Sequence, residues 1–241
     1  KLTIGCNNAI AASVMPAAMH AFMRAHPNVQ VRIHCHSSKE LARLMKMKQF
    51  RISLTRYAVA SDRVITYRCL FTEPIRAIVP RGHPLAEAGH ATLDDILRYP
   101  IMAYPKDTST RSVFEMILNH CNIPHRIRFE TNNLRLLRDM LLWGEGVLLF
   151  ASSFFHRDLE SGALAAVSIT DNPFPPSSIF VAFRSGELNG LELKFVEHME
   201  AWLKGRFAVW SLKAKEPGAR GGQPADGPRS DKVIDLTRRA P

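Results

Sequence analysis

The sequence predicts an α/β protein built on parallel sheets. Strand-like and helix-like segments alternate through the first 57 residues. Between the strands, apolar residues recur at three- and four-residue spacings. Hydrophobic residues make up 46% of the 241 positions and charged ones 22%, enough for one or two domains with a substantial core.

The elements follow in order. "LTIGC" (2–6) reads as a short buried strand. A helix over 9–26 follows, capped by Asn7 or Asn8, with Val14, Ala18, Phe22 and Ala25 on one face. Pro16 predicts a late start or a kink in it. His26-Pro27-Asn28 stops it, and "VQVRIHCH" (29–36) alternates like a strand. "SSKELARLMKMKQF" is the next helix, with Ser37 and Glu40 at capping-box spacing. "RISLTRY" (51–57) is the third strand. The order β-α-β-α-β implies parallel strands with right-handed crossovers, and ligands then bind beyond the strands' carboxyl ends. Those ends carry Asn7, Asn8, Ser37, Ser38, Thr55, Arg56 and Tyr57.

A strand-like run over 77–79 stops at Pro80. Arg81 and His83 read as turn residues, and a helix spans 92–99. "IMAY" is a strand, and a helix opens at 108–111 and runs to about Cys121. "HRIRFET" is a strand, and Asn132 or Asn133 opens a helix ending at Gly144 and Gly146. "VLLFA" is a buried strand and "SSFFHRDLESG" a short helix. "LAAVSI" and "IFVAFR" are further strands, and an amphipathic helix covers about 190–204. From 206 the chain is rich in Gly, Pro and charge, which predicts a disordered tail.

The formal charge is +10. Residues 206–241 hold eight Lys/Arg and four Asp/Glu, so +4 belongs to the tail and +6 to the body. Nucleic acid or an anionic small ligand would each account for that balance. No apolar run reaches the roughly 18 residues of a membrane span. Lys1 leads straight into a strand with no visible signal peptide, which is expected of a processed protein or a fragment. Cys6, Cys35, Cys69 and Cys121 are far apart and form no C-x-x-C, which fits a reducing cytosol.

Several stretches together resemble the effector-binding domain of LysR-type transcriptional regulators. They are "LTIGCNNAIAASVMPAAMHAFMRAHPNVQVRI", "LARLMKMKQFRISLT", "VPRGHPLAEAGHATLDDILRYPIM" and "ETNNLRLLRDMLLWGEGVLLFASSF". The likeness covers about residues 1–205. The resemblance implies two Rossmann-like subdomains joined by two crossover strands, like the type II periplasmic-binding proteins. It divides the chain into 1–74 with 187–205, 75–186, and a tail over 206–241. It also implies a cytoplasmic homodimer or homotetramer that binds no membrane. A small effector would sit in the cleft, and DNA would be met only through an amino-terminal domain outside this chain. Arg51, Asn7-Asn8 and Ala151-Ser152 depart from the family's usual residues and leave the effector's identity open. A solute-binding protein of a transporter is the alternative on the same fold.

The helix starts at 8–9, 37–38 and 109–110 should present free N–H groups to the cleft, and Arg56 makes an anionic effector attractive. Thr108, Ser109, Thr110, Asn132 and Ser152 complete the polar candidates. Tyr57 and Tyr104 either flank an apolar part of the effector or lie partly in the core. Phe150 reaches the same region but is expected to be core. His34 and His36 share a strand face, as a metal site requires, yet lack further ligands, so no metal and no cofactor are expected. Cys6 and Cys35 end adjacent strands; inert buried thiols are preferred over a redox switch. No nucleophile elbow, Walker loop or dinucleotide fingerprint occurs, so no enzyme is expected.

Overall fold

The computed structural model describes residues 1–58, 64–120, 124–184 and 188–213, with side chains as far as 207 in the last helix. β1 (Leu2–Asn7) leads into α1 (Asn8–Ser13) and α2 (Met15–Ala25). The break at Val14 is the expected kink. Pro16 opens α2, where its missing N–H costs nothing. β2 (Val31–His36), α3 (Ser38–Lys46) and β3 (Ile52–Thr55) complete the predicted β-α-β-α-β unit. β2 and β3 flank β1 in parallel on its two sides.

β4 (Ile65–Glu73) and β5 (Ile75–Pro80) follow, separated by Pro74 alone. Then come α4 (Pro84–Ala88), β6 (His90–Ala91), α5 (Leu93–Leu97), β7 (Ile101–Ala103), α6 (Ser109–His120) and β8 (Ile127–Glu130). α7 (Leu134–Leu142), β9 (Val147–Ala151), a 3-10 turn at Ser152–Phe155, α8 (His156–Ser161), β10 (Leu164–Ile169), β11 (Ser177–Arg184) and α9 (Gly190–Lys213) finish the described chain.

Two sheets result. The first has the order β2-β1-β3-β11-β4 and the second β6-β10-β5-β9-β7-β8. The chain crosses from the first to the second at Pro74 and returns through residues 170–176. Both crossings lie side by side, because Glu73 pairs with Ser177 in the β4–β11 ladder and Asn172 donates to the Ile75 carbonyl at 2.9 Å. β11 is antiparallel to both β3 and β4. It therefore belongs to the first sheet, whereas the sequence division groups 177–184 with residues 75–186.

α4 and β6 have no counterpart in the sequence reading, and β4 and α9 also differ from it. β4 has no counterpart in it, because Arg68 and Cys69 on this strand are exposed in succession and break the alternation. α9 continues through Gly205 to Lys213, so the chain stays ordered past 206. Phe207 causes this: it is buried against Phe71, His156 and Trp202. Residues 214–241, with the rest of the expected tail, and Cys121 lie outside the described residues. The turn reading of His83 holds: its Nδ1 accepts from the Leu85 N–H and caps α4.

Gly144 ends α7 in the left-handed region, φ 77°. Gly146 answers a different need: a Cβ there would stand 2.6 Å from the Pro100 carbonyl oxygen. That close approach lets β9 align beside β7.

Candidate functional site

The carboxyl ends of β1, β2 and β3 converge as expected. Asn7, rather than Asn8, caps α1: its Oδ1 accepts from the Ala9 N–H at 3.0 Å. Its Nδ2 donates to Ser38 Oγ at 3.4 Å. Thr55 Oγ1 donates to the same oxygen at 2.7 Å. Asn7, Ser38 and Thr55 thus tie three strand ends into one polar row. Ser37 caps α3 through the Glu40 N–H and stays exposed, as does Asn8.

From the second sheet, Thr108 caps α6 by accepting from the Arg111 N–H and donating to the Pro105 carbonyl. Thr110 accepts a hydrogen bond from the Tyr57 hydroxyl at 3.2 Å. That bond links the end of β3 to the start of α6 and closes the two halves over the site. Ser109 is exposed. Asn133 rather than Asn132 caps α7, and Asn132 remains exposed beside it. Tyr57→Phe should remove this link, worth about 0.5–1.5 kcal/mol. Amide exchange at Arg111 and Ser112 should then rise several-fold; unchanged exchange would show that the bond does not hold the halves together.

Arg56 is the centre of the arrangement. The side chain is only 6% exposed. Its guanidinium lies 4.3 Å from the Phe150 ring centroid, 5.0 Å from Phe154 and 5.7 Å from Tyr57. One terminal nitrogen donates to Ser177 Oγ at 3.1 Å, at the crossing between the sheets. Desolvated cation–π contacts of this kind contribute about 2 kcal/mol. Arg56 is thus buried among aromatic rings rather than lying on the surface.

Tyr104 stacks on Phe150 with centroids 5.7 Å apart and planes 9° from parallel. Phe154 and Phe155 meet Phe150 edge-on. Phe150 is 1% exposed, so it is a platform behind Arg56 and Tyr104, in line with the expected core role. Ser152 opens the 3-10 turn that packs against α1.

Three buried polar atoms here have no hydrogen-bond partner: Arg56 Nε, Tyr104 Oη and Ser152 Oγ. Each such group costs about 1–3 kcal/mol. Buried polar groups left without a partner are uncommon in folded proteins. Burial pushes the Tyr104 phenol up to about 12, against the pull of Arg56. It is therefore a neutral hydroxyl at any physiological pH.

Sequence reasoning missed Glu73, Ser177 and Phe154, and it placed Ser153 at the cleft without its partner Glu73. Glu73 is buried at the end of β4 and accepts from the Ser153 N–H at 3.0 Å and from Ser153 Oγ. Burial raises its carboxyl above the usual range, partly offset by the two Ser153 hydrogen bonds and by Arg56 and Arg76. The available signal was a glutamate immediately before Pro74. Cys6 is buried but Cys35 is exposed, which corrects the reading of two buried thiols. Their strands place them directly opposite each other. Among the described residues no group of three metal-ligating side chains occurs, and no helix is long and apolar enough to cross a membrane.

Two sheets joined by two adjacent chain crossings, with polar side chains gathered at their junction, make a two-lobed α/β domain. The family model of the LysR substrate binding domain matches residues 1–204, and the chain belongs to that family. Curated relatives include a probable RuBisCO transcriptional regulator of Cyanidioschyzon merolae, 20% identical over 173 residues, 70% of this chain and 57% of the relative. Another is the transcriptional dual regulator GltC of Bacillus subtilis, 26% identical over 155 residues, 63% of this chain and 51% of that protein. The chain thus spans little more than half the length of these relatives.

Among solved structures, the LysR family regulator HinK from Pseudomonas aeruginosa superposes with a TM-score of 0.71 at 21% identity, covering 84% of this chain and 69% of that one. The BenM effector binding domain with its effector benzoate gives 0.68 at 20%, covering 92% and 98%. The Synechocystis CcmR regulatory domain in complex with 2-PG gives 0.70 at 16%, covering 84% and 97%. These likenesses establish the type II periplasmic-binding-like fold. The chain is an effector-binding domain of a LysR-type regulator, and the solute-binding alternative is not favoured.

Proposed function

We propose that this domain senses a small anionic effector in the cleft between its sheets and relays its presence to a DNA-binding domain outside this chain. The carrying observation is the pair of buried, unpartnered polar atoms on side chains packed against Phe150, Arg56 Nε and Tyr104 Oη. Asn7, Ser38, Thr55, Arg56, Tyr57, Tyr104, Thr110 and Ser152 are the contacts this reading favours. Asn8, Ser37, Thr108, Ser109 and Asn132 form an outer rim, with Phe150 as support.

Arg56 reaches three parts of the domain: the end of β3, which it directly follows, the crossing at Ser177, and the aromatic rings of the second sheet's side. An effector that binds Arg56 therefore acts directly on the hinge. It shifts the population of interlobe angles by as much as it prefers one angle over another. In the full-length regulator, a cytoplasmic homodimer or homotetramer, that shift repositions the DNA-binding domains. The lobes follow the sheets, with residues 177–184 in the first.

A thermal-shift screen of organic anions, followed by amide chemical-shift mapping, tests the reading. A ligand at roughly 100 times its Kd should stabilise the domain by about 2.7 kcal/mol. Perturbations should concentrate at residues 55–57, Tyr104 and Ser152. Perturbations confined to the outer face of α2 would refute it.

A further inference from the structure

We propose that Cys6 and Cys35 are a reversible oxidation site, at which hydrogen peroxide converts the two thiols into an intrachain disulfide between β1 and β2. The pair lies apart from Arg56 and its aromatic bed, and it stands whatever ligand the cleft takes.

The register of the sheet sets the two cysteines together. β1 and β2 are parallel neighbours, and Cys6 lies directly opposite Cys35. Adjacent strands are about 4.7–4.9 Å apart, and side chains opposite each other share a face. A disulfide spans Cα separations of roughly 4.4–6.8 Å, so the bond needs side-chain rotation and no shift of either strand. Both thiols are free. Burial pushes the Cys6 thiol well above its ordinary pKa, and the neighbouring Cys35 sulfur adds to the rise. Cys69 provides the contrast. Its strand β4 is the far edge of the same sheet, with β3 and β11 between it and β1. No disulfide reaches across that gap.

The two thiols differ in access, and that sets the order of events. Cys35 is exposed on the edge strand β2, whereas Cys6 is 0% exposed. Peroxide therefore meets Cys35 first. The Cys35 thiolate attacks one peroxide oxygen, the O–O bond breaks, and the other oxygen leaves as water with the thiol proton. Cys35 is then a sulfenic acid. The Cys6 sulfur attacks the Cys35 sulfur, the S–O bond breaks, and the hydroxyl leaves as water with the Cys6 proton. Two thiols lose two electrons and one peroxide becomes two waters. In a reducing compartment thiol reductants reopen such a bond, so it is transient and reports oxidant.

The bond would form one residue before Asn7 and three before Ser38. Cys6 Sγ donates to the Asn7 carbonyl at 3.5 Å in the reduced protein, and oxidation removes that hydrogen. Asn7 in turn caps α1 and donates to Ser38 Oγ. The oxidation state thus reaches the polar row at the strand ends.

The whole chain is titrated with hydrogen peroxide, its remaining thiols are alkylated, and the non-reduced tryptic digest is read by mass spectrometry. Peptides 2–24 and 33–39, which carry Cys6 and Cys35, should appear joined and lighter by two hydrogens than their sum. Dithiothreitol should separate them. Cys35→Ala should leave Cys6 unmodified. Cys6→Ala should hold Cys35 as sulfenic acid, trapped by dimedone in several-fold higher yield than in the parent. The amide resonances of Asn7 and Ser38 should move on oxidation and return on reduction.

A parent that accumulates Cys35 sulfenic acid without the joined peptide overturns the pair, and this arm needs no variant to fold. A disulfide between the Cys35 residues of two chains as the main product overturns it as well. Amide resonances at Asn7 and Ser38 that stay in place overturn the link to the polar row, even where the joined peptide forms.

Discussion

Arg56→Met should abolish effector binding while leaving the domain folded. Methionine keeps an unbranched stem and packs on the Phe150 and Phe154 rings that now carry the guanidinium. Removing one partner of a buried charge–ligand contact costs on the order of 2–5 kcal/mol, or about thirtyfold to several-thousandfold in affinity. Arg56→Lys should recover only part of this, because an ammonium offers no planar edge. The variant has a second signature. Arg56 is one of two cations that hold the Glu73 carboxyl down against burial. Without it the Glu73 pKa rises further above its unfolded value. A carboxyl whose folded pKa is raised contributes its full stability below the unfolded value and loses it as pH climbs through the folded one. Arg56→Met should therefore match the parent near pH 4 and fall behind as pH rises. A variant that retains calorimetric affinity within twofold would remove Arg56 from the site.

Much of this was legible in the linear sequence, and the reason is local. The strands leading to Asn7 and Ser37 end where capping residues and helical periodicity begin. Such signals need only neighbouring residues. Pro16 announced the break between α1 and α2 for the same reason. The parts that stayed hidden depend on distant partners. β4 is a long crossing strand whose exposed Arg68 and Cys69 spoil any two-residue period. β11 looks like a companion of β10 in sequence, yet it hydrogen-bonds to β3 and β4. α9 runs through a composition boundary because Phe207 finds a pocket between Phe71 and His156.

The candidate site divides along the same line. Helix caps at Asn7, Ser37 and Thr108 were readable as types and spacings. That Tyr104 and Ser152 lack partners was not, because an absence of hydrogen bonds is a property of the assembled fold. Nor was Glu73, whose partner Ser153 lies 80 residues away. Arg56 stood between the two cases: its position at a strand end suggested a ligand, but its aromatic bed comes from the other sheet.

Phe150→Ala should be the most destabilising change at the site. The ring is 1% exposed and lies in the largest core cluster, in contact with Arg56, Tyr104, Phe154 and Phe155. Truncating a buried phenylalanine costs about 3–5 kcal/mol through lost burial and the cavity left behind. The cost here belongs to the upper part of that range, since a guanidinium and a phenol both lose their support and neither has another partner for its unsatisfied atom. Chemical denaturation should show the midpoint falling with an unchanged m-value. Phe150→Leu separates packing from electrostatics. Leucine refills most of the space but offers no ring face, so stability should largely return. Effector affinity should stay reduced several-fold, because the cation–π contact that sets the Arg56 guanidinium against the second sheet is gone. If Phe150→Leu binds as the parent does, the ring acts as filler alone. The orientation of Arg56 must then come from its bond to Ser177 at the crossing, and Ser177→Ala becomes the variant that loosens the site.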